Sequence, residues 1–221
     1  MANGSSLGTT WSDRLAFLGQ FIRHPRQVAS IVPSTRFLER RVARSLVHRA
    51  GVFVELGPGT GGITRAILER IPAESRLIAV ELNPILADRV ARIADPRLVV
   101  HCGNAEDLPE ILREHRCDRA DAVVSGLPFS TIGRRRAKRI LDAVSRSMAS
   151  DGEFIAYHIR GTLERLAGSR FEAVDSSTEW LSLPPMRIYR WRKATGRAMR
   201  AKFTPPSRRG VRPALGQSPF T

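Results

Sequence analysis

Residues 51–69 read GVFVELGPGTGGITRAILE, and this stretch decides the fold. Its first six residues (51–56) are an apolar run that stops at a glycine-rich loop, which predicts a buried strand. Thr64–Glu69 then reads as the start of a helix. A strand passing through a glycine loop directly into a helix is the opening unit of a nucleotide-binding α/β sheet. Glycine there lets the backbone approach a ligand closely at the carboxyl edge of the strands. The loop satisfies two spacings at once. Gly57, Gly59 and Gly62 fit G-x-G-x-x-G, whereas Glu55, Gly57, Gly59 and Gly61 fit E-x-G-x-G-x-G.

Downstream, short apolar runs alternate with helical patterns. RLIAVE (76–81), RLVVH (97–101), DAVVSG (121–126) and EFIAYHI (153–159) read as strands, with helices over Ile85–Ala94, Arg134–Met148 and Arg160–Ala167. Segments near Phe171–Asp175 and Met186–Trp191 read as two final strands with no room for a helical crossover, so they pair antiparallel. The expected fold is α/β: a Rossmann-like, seven-stranded, mostly parallel sheet with an antiparallel last strand, plus N-terminal helices.

The expected organisation is a disordered leader (1–10), N-terminal helices (11–50), the sheet domain (51–193) and a basic, mostly unstructured tail (194–221). Trp11, Leu15, Leu18 and Ile22 recur at helical spacing, widened by Phe17 and Phe21 and flanked by Arg14 and Arg23. That helix fits either the protein core or a membrane interface. A second helix is predicted from Ser34, as N-cap, to Arg49.

The 221 residues carry a net charge of +15, and its distribution matters more than its size. Residues 1–50 hold eight Arg against Asp13 and Glu39, and residues 180–221 hold ten Lys or Arg and no acid. The middle is close to neutral. Attraction to a polyanion through the ends follows, whether nucleic acid or an anionic lipid surface. No apolar run approaches a membrane span, the start lacks a signal-peptide pattern, and Cys102 and Cys117 form no C-x-x-C pair. A secreted, disulfide-framed, zinc-ribbon or integral membrane protein is therefore not expected, and no metal site is.

Electrostatics separates the two readings of the loop. A carboxylate at Glu55 would repel the pyrophosphate of a dinucleotide, which the first spacing serves, whereas it suits a nucleoside ligand carrying cationic groups, which the second admits. Glu81, twenty residues past Gly61 at a strand end, is placed to accept hydrogen bonds from ribose hydroxyls in either case. Asn104, after the third strand, is placed to meet an adenine edge.

VELGPGTGGIT (54–64), AVEL (79–82), GNAEDL (103–108) and VVSGLPF (123–129) together resemble a class I S-adenosylmethionine-dependent methyltransferase over about residues 51–192. More narrowly, FLGQFIRHPRQVASIVPSTRFLER (17–40), SGLPF (125–129) and LSLPPMRIYRWR (181–192) resemble the bacterial phospholipid N-methyltransferases, relatives of rRNA adenine dimethyltransferases. The resemblance implies S-adenosylmethionine as cofactor and S-adenosylhomocysteine as product. It implies cofactor contacts at Glu55, Gly57, Pro58, Gly59, Thr60, Gly61, Glu81, Leu82, Asn104, Ala105 and Ser125. Substrate contacts would fall at Ser34, Leu127, Pro128, Phe129 and Arg187, with Ser125, Gly126 and Tyr157 at the reacting centre. Asn104 departs from the Asp common in that motif.

Adenine methyltransferases carry N/D-P-P-Y or N-L-P-Y/F after the fourth strand, where the amide or carboxylate grips the base amine. Aligned on Leu127-Pro128-Phe129, that position is Gly126, whose missing side chain suits a small alkyl amine better than a base and leaves room for a nitrogen that grows by successive methyls. An alkylammonium must lose a proton before it attacks, and Tyr157, His158 and His24 are candidate bases. Arg187 is the candidate for a headgroup phosphate. The resulting expectation is an enzyme methylating phosphatidylethanolamine and its methylated intermediates to phosphatidylcholine. Its expected place is the cytoplasm, peripherally on the inner face of the cell membrane. Trp11, Arg14, Leu15, Leu18 and Ile22 would meet an anionic bilayer. The alternatives are an ornithine-lipid or a nucleic-acid adenine N-methyltransferase, the latter disfavoured. No obligate protein partner is expected.

Overall fold

The computed structural model describes residues 36–46, 49–158, 162–181 and 185–194. The leader, the helix expected from Trp11, Ser34, His24 and the tail beyond residue 194 lie outside them.

Seven strands form one sheet: β1 (Val52–Leu56), β2 (Arg76–Glu81), β3 (Leu98–Cys102), β4 (Ala120–Ser125), β5 (Met148–His158), β6 (Phe171–Glu179) and β7 (Met186–Lys193). Their order is β3-β2-β1-β4-β5-β7-β6. Pairings from β3 through β5 are parallel, and β7 runs antiparallel to both β5 and β6. The last strand therefore inserts between its predecessors, so β6 again runs in the direction of β5. All carboxyl ends of β1–β6 share one edge, and the strand order reverses between β1 and β4, where open α/β sheets bind ligands.

Side-chain alternation builds a core on each face of the sheet. Val54, Ile78, Val123 and Phe154 point to one face, covered by α4 (Leu108–Glu114), α5 (Arg134–Ser147) and α6 (Thr162–Ala167). Phe53, Leu77, Val124 and Ile155 point to the other, where α1 (Arg36–Arg44) and α2 (Gly62–Leu68) pack. A fully buried Leu, Ile or Phe contributes roughly 1.5–3 kcal/mol, so these two layers hold the sheet. Helix α3 (Pro84–Ala91) starts at Asn83, whose side chain accepts from the Ile85 amide.

The second predicted helix ends at Arg44, short of Arg49, and its predicted start at Ser34 lies outside the described residues. Helix α4 has no counterpart in the sequence reading. It is only seven residues long, with Pro109 in its first turn, although Leu108, Ile111 and Leu112 sit at helical spacing and are buried. Tyr157 and His158 face opposite sides as alternation requires. Tyr157 packs on the α1/α2 face, and His158 stacks on Tyr189 at 5.2 Å between ring centres.

Candidate functional site

The loops after β1 and β4 meet at the switch point. The Gly126 amide donates to the Leu56 carbonyl at 3.0 Å, and the Gly57 amide to Val80 at 2.9 Å, so neighbouring strands fix both loops. Gly57 and Gly59 have φ of 73° and 57°, a left-handed backbone that favours glycine. A Cβ built on Gly57 would strike the Leu127 side chain at 2.9 Å, whereas nothing lies within 4 Å of one on Gly59. The loop is thus roofed at one end by Leu127 and open at the other. Pro58 is buried behind it and Thr60 is exposed.

Two carboxylates flank the opening. Glu81 accepts from the Gly59 amide at 3.1 Å through one oxygen and from the Asn83 amide at 2.9 Å through the other. It ties the glycine loop to the end of β2. Burial raises its pKa, opposed by these amide hydrogen bonds. Glu55 is 1% exposed. Its Oε2 accepts from the Thr64 hydroxyl at 2.7 Å, while Oε1 is buried without a hydrogen-bond partner. Burial pushes its pKa up to about 8, Thr64 opposes the shift, and Glu81 adds to it. An orphaned carboxylate oxygen beside an open glycine loop matches a cationic ligand group.

Asn104 is less free than the sequence implies. Its Oδ1 accepts from the Glu106 amide at 3.2 Å, capping a short 3-10 turn, and from Arg136 at 3.4 Å. An adenine amino group has to compete for that oxygen. The turn is clamped in place by Glu106, which pairs with Arg136 at 2.8 Å and Arg139 at 2.5 Å, and Ala105 is buried in it. Sequence reasoning missed Thr64 and this arginine clamp. A buried hydroxyl on the apolar face of α2 was the available signal for Thr64.

The β4 loop requires three corrections. Phe129, expected to face substrate, is 3% exposed within the core, so its ring is already covered by protein. Ser125 is fully buried, and its hydroxyl accepts from the Leu127 amide at 3.3 Å; it shapes the turn and does not reach into the opening. The space expected beside Gly126 is filled. A Cβ there would lie 2.2 Å from the Tyr157 hydroxyl, 2.9 Å from its ring carbon and 3.3 Å from the Gly57 carbonyl oxygen. Tyr157 therefore brings a hydroxyl to the place where an amide would sit on residue 126. That hydroxyl makes no hydrogen bond among the described residues. Burial, then the charges of Glu55 and Glu39, push its pKa above the ordinary tyrosine value. It stays a neutral phenol, able to orient an amine but poorly suited to remove its proton. Arg187, opposite His158 in the β5–β7 ladder, lies over the Tyr189 ring at 5.0 Å and 3.8 Å from Glu164.

A family model described as a methyltransferase domain matches residues 53–152. Ornithine lipid N-methyltransferase of Singulisphaera acidiphila is 33% identical over 183 residues, 80% of this chain and 94% of that protein. The chain belongs to the class I S-adenosylmethionine-dependent methyltransferases. Ribosomal RNA small subunit methyltransferase A of Mycobacterium avium is 29% identical over 133 residues, which cover 56% of this chain and 39% of that protein.

Among solved structures, the N-methyltransferase NodS from Bradyrhizobium japonicum, in complex with S-adenosylhomocysteine, superposes with a TM-score of 0.61. It is 12% identical and covers 72% of this chain and 86% of its own. The 1,6-didemethyltoxoflavin-N1-methyltransferase of Burkholderia thailandensis superposes with a TM-score of 0.62 at 15% identity, covering 87% and 94%. At such identities the likeness is one of fold.

This methyltransferase is an S-adenosylmethionine-dependent N-methyltransferase with S-adenosylhomocysteine as product. The residues present fit that cofactor: an open glycine loop, a carboxylate latch at Glu81 and an unpartnered buried oxygen on Glu55. When bound, the cofactor supplies an activated methyl group on sulfur. Glu81 and the half-buried Leu82 would hold its ribose side, and Glu55, once it releases the proton that burial favours in the free protein, its cationic side. Leu127 and Tyr157 border the opening from the β4 and β5 side, where an acceptor nitrogen must approach in line.

Proposed function

We propose that this methyltransferase methylates the primary alkyl amine of a membrane aminolipid headgroup. The observation that carries the reading is Gly126 with the Tyr157 hydroxyl set against it. A neutral phenol can accept one hydrogen bond from a small amine, while no amide on residue 126 grips a base. The relative of 33% identity, named for ornithine lipid, makes that headgroup the first acceptor to test, with phosphatidylethanolamine and its methylated forms second. Support for membrane association comes from the basic segments 1–50 and 180–221 and from the apolar face Trp11, Leu15, Leu18 and Ile22 beside Arg14. No helix among the described residues is long and apolar enough to cross a membrane.

Labelled S-adenosylmethionine is incubated with purified protein and, separately, vesicles containing ornithine lipid, vesicles containing phosphatidylethanolamine, and ribosomal RNA. Label is expected in a lipid product and absent from RNA. Label in RNA alone refutes the proposal.

A further inference from the structure

Strand β6 runs with β5, so the turn that follows it emerges on the same sheet edge as the glycine loop. Trp180 and Leu181 open that turn at 75% and 65% exposure. These are large apolar side chains held out in water, yet the turn is anchored. Glu179, 6% exposed, accepts from the Leu181 amide at 2.9 Å through one oxygen. Its other oxygen lies 3.6 Å from Arg41 of α1. Phe37, one helical turn before Arg41 on the same side of α1, is 55% exposed. The Arg41–Glu179 pair thus joins two elements that each present exposed apolar side chains near this edge.

Cations accompany them. Arg36 and Arg40 are exposed on α1 and make no ion pair among the described residues. Arg134 and Arg135 open α5, which also starts at this edge, and they too are exposed and without an ion pair among the described residues. Arginine is unfavourable at a helix N-terminus, where the macrodipole is positive, so neither position serves the stability of α5. An external anion offsets that cost.

We propose that the carboxyl edge of the sheet, with Trp180, Leu181 and Phe37 as its apolar contacts and these arginines around them, docks on an anionic phospholipid bilayer. This rests on the aminolipid reading and deepens it, because the docked edge is the one where the cofactor loop opens. Indole and leucine side chains enter the headgroup boundary while guanidinium groups pair with lipid phosphates. Nucleic acid would use the cations but gives Leu181 no role.

The test uses full-length protein and vesicles of phosphatidylethanolamine and phosphatidylglycerol. Trp180→Ser/Leu181→Ser is expected to keep the wild-type melting temperature, since both side chains are exposed. It should weaken vesicle pelleting about tenfold, as loss of one buried Leu-sized contact already does. Methyl transfer to aminolipid in detergent micelles, where docking is not needed, should be unchanged. In Trp11→Phe protein, Trp180 is the exposed tryptophan among the described residues, Trp191 being buried, and brominated-chain lipids should quench it. Equal pelleting of variant and wild type, absence of quenching, or retention on RNA instead of vesicles overturns the docking surface. Quenching with weakened pelleting of the variant, but no methyl transfer to lipid even in micelles, upholds the surface and removes the aminolipid reading.

Discussion

Replacing Gly126 by alanine tests the reacting centre with a single methyl group. The added Cβ would sit 2.2 Å from the Tyr157 hydroxyl oxygen and 2.9 Å from its ring carbon, both well inside contact distance. The Gly57 carbonyl at 3.3 Å blocks retreat on the other side, so the tyrosine ring must move. Overpacking of this kind costs about 1–3 kcal/mol. In a domain of this size each kcal/mol lowers the melting temperature by about 2–4 °C, so Gly126→Ala should melt lower by roughly 2–12 °C. Thermal unfolding followed by circular dichroism measures this. S-adenosylhomocysteine binding by calorimetry should stay close to wild type, because the cofactor latch at Glu81 is untouched, while kcat/KM for the amine falls. Combining Gly126→Ala with Tyr157→Ala should cost less than the two changes summed, since the clash disappears with the ring. A Gly126→Ala protein that melts and methylates like wild type would refute the placement of Tyr157 against this loop.

Tyr157→Phe removes only the hydroxyl and should lower kcat/KM for the amine about tenfold, the worth of one hydrogen bond. The acid limb of the pH–rate profile should persist, because a phenol with a raised pKa is not the base; its disappearance would assign that role to Tyr157. Glu81→Ala strips the acceptor from the Gly59 and Asn83 amides and should weaken S-adenosylhomocysteine binding roughly ten- to a hundredfold by calorimetry. Glu55 carries a pH signature. Folding raises its pKa from 4.5 to about 8, so the folded state keeps a proton that the unfolded chain loses across that window. Its contribution is complete below the unfolded value and declines as pH rises towards the folded one. Urea midpoints at about pH 5 and about pH 8 should therefore diverge less in Glu55→Gln than in wild type. An identical divergence in both proteins would show that Glu55 does not titrate in this range.

Strands β1–β5 and the glycine loop were legible because their causes are local. Apolar runs such as RLIAVE (76–81), which is β2 residue for residue, carry the strand signal in their own composition. Glu55 and Glu81 lie where strand ends place them, at offsets that follow from strand and helix lengths. Tertiary packing decided the rest. Whether Phe129 faced a ligand or the core depended on helices elsewhere in the chain, and it went to the core. The Asn104 side-chain oxygen is engaged partly by Arg136, thirty-two residues away. The insertion of β7 between β5 and β6 set the edge on which Trp180 emerges. Tyr157 reaches Gly126 only because β5 pairs with β4, with Ser125 opposite Ala156. Backbone period and turn chemistry are written residue by residue, whereas the meeting of two side chains on different strands depends on the register in which those strands pack.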